Sequence, residues 1–238
     1  MTNEYPVTAT CGGDSLGRLD HAVALISQCF EQDPAAAYWL NDKPHNERIA
    51  YHPQLFYHLL KPAALLGAYF LEANTWESTV VMIPPKIRTD SVWISLRAGW
   101  LKNIWHLGYG GCKRLIFDYA GTIERAKKRH MGDKPYFYIF QVATLGEHRG
   151  QGLSSMLLYK CTEIAQAART PIWLEATTEG SKRVYERVGF KVMEHMSVGR
   201  GKCDANGEAE RGGDGLTIWG MKWVPSSVEI YSMPYEAT

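Results

Sequence analysis

Residues Tyr136–Lys160 read YFYIFQVATLGEHRGQGLSSMLLYK. The first ten form a nearly continuous apolar run, which predicts a strand buried on both faces. Beyond the turn, Leu153, Met156, Leu157, Cys161, Ile164 and Ala168 recur at helical spacing, so a helix is expected over Gly152–Ala168. Between strand and helix stand two glycines, Gly150 and Gly152, preceded by Arg149. A turn that opens a helix exposes its first unpaired N–H groups, and those donors with the helix dipole favour an anion. Glycine lets the backbone approach that anion without a Cβ in the way. Arg149 adds a charge-assisted contact or fixes the loop. The stretch predicts a phosphate site and leaves open whose phosphate it is.

The rest of the chain supplies the context. YPVTAT (residues 5–10) reads as a short first strand. Leu19, Val23, Ile26 and Phe30 mark a helix that should stop near Asp33-Pro34. A second helix is expected from about Glu47 to Leu66. AYFLEAN and STVVMIPP then form a hairpin around NTWE. Residues from about Asp90 to Arg129 look helical and broken at GYGG. After the central strand and helix come a strand, PIWLEAT, and a short helix, SKRVYERVG, closed by Gly189. Two last strands, FKVMEHM and LTIWGMKW, flank a Gly-rich, charged segment (199–215), expected to be a long mobile hairpin loop. The order is mixed α/β, with one strand–loop–helix–strand crossover in the second half.

Composition narrows the function classes. With 238 residues the chain can bury a large core, and a net charge of +1 gives no pull toward nucleic acid or membrane. Eight Trp and 13 Tyr suit a core or an organic-ligand pocket. The five scattered cysteines include no C-x-x-C, so neither a zinc site nor a disulfide framework is indicated, and no histidine pair has metal spacing. The first residues carry no signal-peptide pattern and the apolar runs are too short to span a bilayer. A cytoplasmic protein without a metal is expected.

Three readings of the glycine turn compete. One is a plain strand-to-helix turn. A second is a dinucleotide site, since Glu175 ends the next strand 23 residues after Gly152, where a ribose-binding acid would stand. A lone late crossover with no second βαβ half weighs against it. A Walker A loop is absent, because no Gly-Lys-Ser/Thr follows.

The third is a coenzyme A pyrophosphate site. Arg149-Gly150-Gln151-Gly152-Leu153-Ser154 resembles the Gln/Arg-x-x-Gly-x-Gly/Ala motif of the GCN5-related N-acetyltransferase (GNAT) family, with Ser154 in the last slot. LEATTEGSKRVYERVGF (Leu174–Phe190) resembles the family's strand–helix pattern ending in Tyr-Glu-x-x-Gly-Phe, most of all in the branch that includes puromycin N-acetyltransferase. Ser181 stands where that branch has Asn. CFEQDPAAAYWL looks like the branch's Phe-x-x-Asp/Tyr-Pro element.

The resemblance implies a single GNAT domain over residues 1–238, with a mixed sheet of about six to seven strands flanked by helices. Residues 1–130 would form the acceptor-binding half with helical insertions, and residues 131–238 the acetyl-CoA half. It implies an N-acetyltransferase acting on a small amine, a xenobiotic or natural-product-like acceptor, with acetyl-CoA as cosubstrate. Backbone groups of Val142, Ala143, Thr144 and Leu145 would pair with the pantetheine and acetyl oxygen. Those of Arg149 to Ser154 would hold the pyrophosphate, with Ser181 and Arg183 near the cofactor. Tyr185 matches the family tyrosine beside the sulfur, and its phenol suits proton donation to a departing thiolate. Glu175 is the carboxylate candidate for general base; a structural Glu is the other reading. Asp33 would hold the substrate ammonium or cap a helix, and Trp39 would line the acceptor pocket. A peptide N-acetyltransferase and a non-catalytic acyl-CoA-binding module remain alternatives, and monomer and homodimer are both open.

Overall fold

A computed structural model describes residues 7–10, 12–85 and 100–226. Seven strands form one sheet in the order β1-β2-β3-β4-β5-β7-β6. They are β1 (Val7–Thr10), β2 (Tyr69–Ala73), β3 (Ser78–Ile83), β4 (Phe137–Thr144), β5 (Ile172–Ala176), β6 (Lys191–Val198) and β7 (Leu216–Trp223). All neighbours run antiparallel except β4 and β5. One parallel pair in an antiparallel frame is not a doubly wound sheet, which removes the dinucleotide reading on topology.

The period-two side-chain pattern distributes the core to both faces. Phe70, Val81, Ile83 and Trp173 pack on one face against helices α1 (Leu19–Cys29), α2 (Pro34–Trp39) and α3 (His45–Leu65). The same face carries α4 (Trp100–Cys112), a π-helical turn (Lys113–Ala120) and α5 (Gly121–Met131). Leu71, Val80, Met82 and Leu174 pack on the other against α6 (Leu153–Ala167) and α7 (Glu179–Val188). The break expected at GYGG is a kink at Gly108, whose φ of +64° is open to glycine. The part of that expectation covering residues 90–99 lies outside the described residues.

Strand β4 departs from its expected burial. Its residues alternate between buried and half-buried from Phe137 to Thr144. Val81 pairs with Gln141 and Met82 with Ile139, so Phe140 has no opposite number on β3. This one-residue bulge exchanges the faces. Phe137 and Ile139 point to the α6 side, whereas Ala143 points to the α1 side. An apolar run does not distinguish a strand buried on both faces from one whose second face lines a cavity, and β4 is the latter.

A second correction concerns residues 199–215, which are ordered rather than mobile. Backbone bonds cross the loop from Cys203 to Gly199, from Asp204 to Glu208 and from Gly215 to Cys203. Asn41 donates to Gly207 O at 3.2 Å, Arg48 to Glu208 at 2.9 Å and Lys202 to Asp118 at 2.7 Å. Glycine here serves close approach: a Cβ on Gly207 would lie 2.1 Å from Pro34 O. The loop is a clamp on α2.

Gly207→Ala is therefore expected to cost clearly more than Gly201→Ala. Both have positive φ, but nothing lies within 4 Å of a Cβ at Gly201. Strained backbone alone costs about 1–3 kcal/mol, so Gly201→Ala measures that part and the excess at Gly207 measures the clash. Urea denaturation of the two variants checks this; equal midpoints would show that the loop does not press on α2.

Candidate active site

The site begins where two strands part. Parallel pairing between β4 and β5 covers only Phe137–Ile172 and Tyr138–Trp173. Beyond Tyr138 the strands diverge, and among the described residues β4 has no strand partner on that side. A cavity of about 1000 Å³ occupies the fork, at the upper end of the usual range for organic-ligand sites.

At one end of the cavity lies the glycine turn. Gly150 and Gly152 have φ of +80° and +85°, and a Cβ on either would meet nothing within 4 Å. They are needed for the backbone conformation, and the space above them is free. Gly152 caps α6 with no side-chain acceptor for the helix's first N–H groups. Arg149 fixes the turn, its Nε donating to Thr144 O at 3.3 Å. The hairpin between β2 and β3 braces the turn from behind: Leu145 N donates to Glu77 O at 3.0 Å, and His148 Nδ1 lies 3.1 Å from Glu77 Oε2.

At the other end, groups from distant parts of the chain converge. Tyr185, on α7, is buried, with no hydrogen bond from its hydroxyl among the described residues. Burial first, then the nearby Asp33 and Glu175 carboxylates, push its phenol well above the ordinary tyrosine value. It stays protonated through the physiological range. Glu175 accepts from Tyr138 Oη at 2.8 Å and from Trp173 Nε1 at 2.5 Å. Burial raises its carboxyl above the ordinary value, opposed by the Lys127 ammonium and by those two donors. Asp33 caps α2, with Oδ1 accepting from Ala35 N at 2.9 Å and Ala36 N at 3.0 Å, while Oδ2 accepts from Thr177 Oγ1 at 2.7 Å. Burial raises this carboxyl too, against the bonds from Thr177, Ala36 and Ala35. Trp39 is buried in the wall, edge-on to Tyr119 at 5.1 Å.

The fork and turn thus bring together Tyr185, Glu175, Asp33, Trp39, Val142, Ala143, Thr144, Arg149, Gly150, Gly152, Leu153, Ser154 and Ser181 around one cavity. Leu145, Gln151 and Arg183 do not line it. Leu145 packs on the α1-side core, Gln151 Nε2 donates to Glu147 O at 3.4 Å, and Arg183 is exposed on α7. The Ser181 hydroxyl is engaged in the capping box with Thr178 that starts α7.

Tyr119, Tyr138 and Lys127 also line the cavity, and sequence reading missed them. Tyr119 sits in the π-helical turn, where one extra residue per turn re-aims a side chain. Lys127 lies in KKRH, which reads as a solvated helix end. Cys29 lines the cavity with its thiol pushed up to about 11 by burial, so it stays a protonated thiol. Among the described residues no group of three or more His, Cys, Asp and Glu side chains is placed to hold a metal, and no helix is long and apolar enough to cross a membrane.

Comparison with known proteins agrees with this geometry. Residues 100–190 match the sequence model of the Acetyltransferase (GNAT) family. An arylalkylamine N-acetyltransferase 2 from Aedes aegypti superposes with a TM-score of 0.61 at 16% identity, covering 92% of this chain and 99% of that one. A structure described as histone acetyltransferase HPA2 and related acetyltransferase, from Corynebacterium glutamicum, gives 0.58 at 19% identity over 95% and 99%. A Drosophila melanogaster polyamine N-acetyltransferase gives 0.58 at 12% over 92% and 100%. At these identities the likeness carries the fold. The family match and the fold together make this an acyl-CoA-dependent N-acetyltransferase.

The Asp33 cap is separable from any chemistry. Asp33→Ala is expected to destabilise the protein by about 1–2 kcal/mol, whereas Asp33→Asn keeps an acceptor for the α2 amides and stays close to wild type. Thermal and urea unfolding of both variants check this, and equal losses would show that the cap contributes nothing.

Proposed function

We propose that the enzyme moves an acetyl group from acetyl-CoA to a small amine, a xenobiotic or natural-product-like acceptor. The observation that carries this reading is the meeting of two carboxylates, Asp33 and Glu175, with the protonated phenol of Tyr185 at the end of a cavity that starts on the glycine turn. Carboxylates in a largely apolar cavity draw and orient an ammonium group. The puromycin-type pattern of Glu175 and Tyr185 supports the same acceptor class. The scattered free cysteines support work in a reducing compartment such as the cytoplasm.

The residues present fit acetyl-CoA. Free space lies above two positive-φ glycines and a helix start with unused amides, which suits a pyrophosphate. The unpartnered edge of β4 from Val142 to Thr144 suits the amide-bearing pantetheine arm. Acetyl-CoA supplies an activated thioester carbonyl. The backbone amides of β4 polarise that carbonyl and hold the oxyanion that forms on it. The bound ammonium first loses one proton to solvent, and Glu175 takes the second, directly or through water, as the N–C bond forms from the neutral amine. Tyr185 donates its proton to the sulfur as the C–S bond breaks, and is reprotonated at the expense of the proton held by Glu175. No net proton stays on the enzyme.

Free-thiol release should be measured across polyamines, arylalkylamines, puromycin-like aminonucleosides and peptides with free N-termini. Turnover on a small amine with none on peptides is expected; turnover on peptides alone would overturn the reading. Tyr185→Phe should lower kcat by about 100- to 10,000-fold with little change in the KM for acetyl-CoA. Gly152→Ala should do the converse, weakening CoA binding by about tenfold or more through strain at a positive φ. Calorimetry with CoA separates the two effects.

A further inference from the structure

Helix α5 carries two side chains, three residues apart, that press on the two rings holding Glu175. Lys127 is a buried cation, 7% exposed. Its Nζ lies 2.7 Å from Glu124 Oε1 and 3.6 Å from the centroid of the Tyr138 ring. That ring's hydroxyl is the donor to Glu175 Oε2 at 2.8 Å. His130 stacks on Trp173 with ring centroids 5.7 Å apart and planes at 15°, and Trp173 Nε1 is the donor to Glu175 Oε1 at 2.5 Å. His130 is itself pinned, its Nε2 lying 2.8 Å from Glu194 Oε2. Each carboxylate oxygen of Glu175 is thus held by one ring, and each ring is held by one residue of α5.

We propose that Lys127 is a positioning residue that, through the face and hydroxyl of Tyr138, holds Glu175 as an oriented, cavity-facing carboxylate. A cation over an aromatic face is attracted by the ring's electrons and draws on them, which makes the phenol a stronger donor to the carboxylate beyond. The buried Lys127 ammonium thus has two partners, the Glu124 carboxylate and the face of the Tyr138 ring, as a charge out of water requires. Two groups lie on α5 itself, Lys127 and Glu124. Tyr136 and Tyr138 face Glu175 from β4 and the residue before it, Trp173 from β5, Tyr119 from the π-helical turn and Tyr185 from α7, with Asp33 beyond them at the start of α2. Lys127 is the cation that favours the charged form of Glu175, whereas burial and Glu124 disfavour it. Removing the cation should therefore move Glu175 protonation to higher pH.

The inference rests on the proposed role of Glu175 as base only where catalysis is read, so its test has a second arm. The Glu175 carboxyl is titrated by ¹³C NMR in the CoA-bound enzyme for wild type, Lys127→Met, Lys127→Arg and Tyr138→Phe, beside pH profiles of kcat/KM. In Lys127→Met and Tyr138→Phe the NMR midpoint is expected to rise by about 1 pH unit, and in Lys127→Arg to return to near the wild-type value. Should Lys127→Met fail to fold, Tyr138→Phe reads the same link. An unmoved midpoint overturns the proposal. If the acid limb of kcat/KM moves with the NMR midpoint, Glu175 is the base as well. A midpoint that moves while the limb stays supports the positioning role and removes Glu175 as the base.

Discussion

The site depends on a failure of pairing. Two parallel strands that could have zipped along their whole length pair at two positions and then separate. The separation leaves a row of backbone donors and acceptors on β4 without a strand partner, and such groups need a partner from elsewhere. A cosubstrate with amides and a carbonyl is a physical match for that edge. The bulge at Phe140 turns the strand's side chains over between its paired half and its open half. Ile139 can then serve the α6-side core while Ala143 serves the other. One extra residue thus serves both cores.

Around that fork the two faces of the sheet have different tasks. On one face α6 and α7 present helix starts and a capping box, the parts suited to phosphates. On the other, α1, α2, the π-helical turn and α5 supply carboxylates and rings. The chain reaches this division by placing its helical insertions before β4 and its crossover after it. Burial then works on Asp33, Glu175 and Tyr185 in one sense, favouring their neutral forms. Local donors act against it at both carboxylates, and Lys127 does so at Glu175.

The glycine turn, the crossover and Tyr185 were legible in the sequence because their physics is local. A strand, a pair of positive-φ glycines and a helix start follow each other in one stretch, and Gly189 closes the helix that bears the tyrosine. The bulge in β4 was not legible, because a run of apolar residues looks the same whether its second face meets a core or a cavity. Residues 199–215 misled by composition. Glycine and charge usually mean a mobile loop, yet Gly207 is there to let Pro34 come close and the charges pair with Arg48 and Asp118. Lys127 and Tyr119 were missed for a related reason: their meaning comes from partners far along the chain. The helix expected to stop near Asp33-Pro34 ends at Cys29, and the proline instead begins the next helix under an aspartate cap.

That aspartate joins the first helices to the end of β5. Its second oxygen is bound by Thr177, 144 residues further on. On a ribosome the first helices emerge long before β5 does, and domains fold as units once their parts are available. The cap of α2 is thus completed only after β5 has been made, so a nascent chain arrested before Thr177 would lack one of the three hydrogen bonds that hold the Asp33 carboxylate.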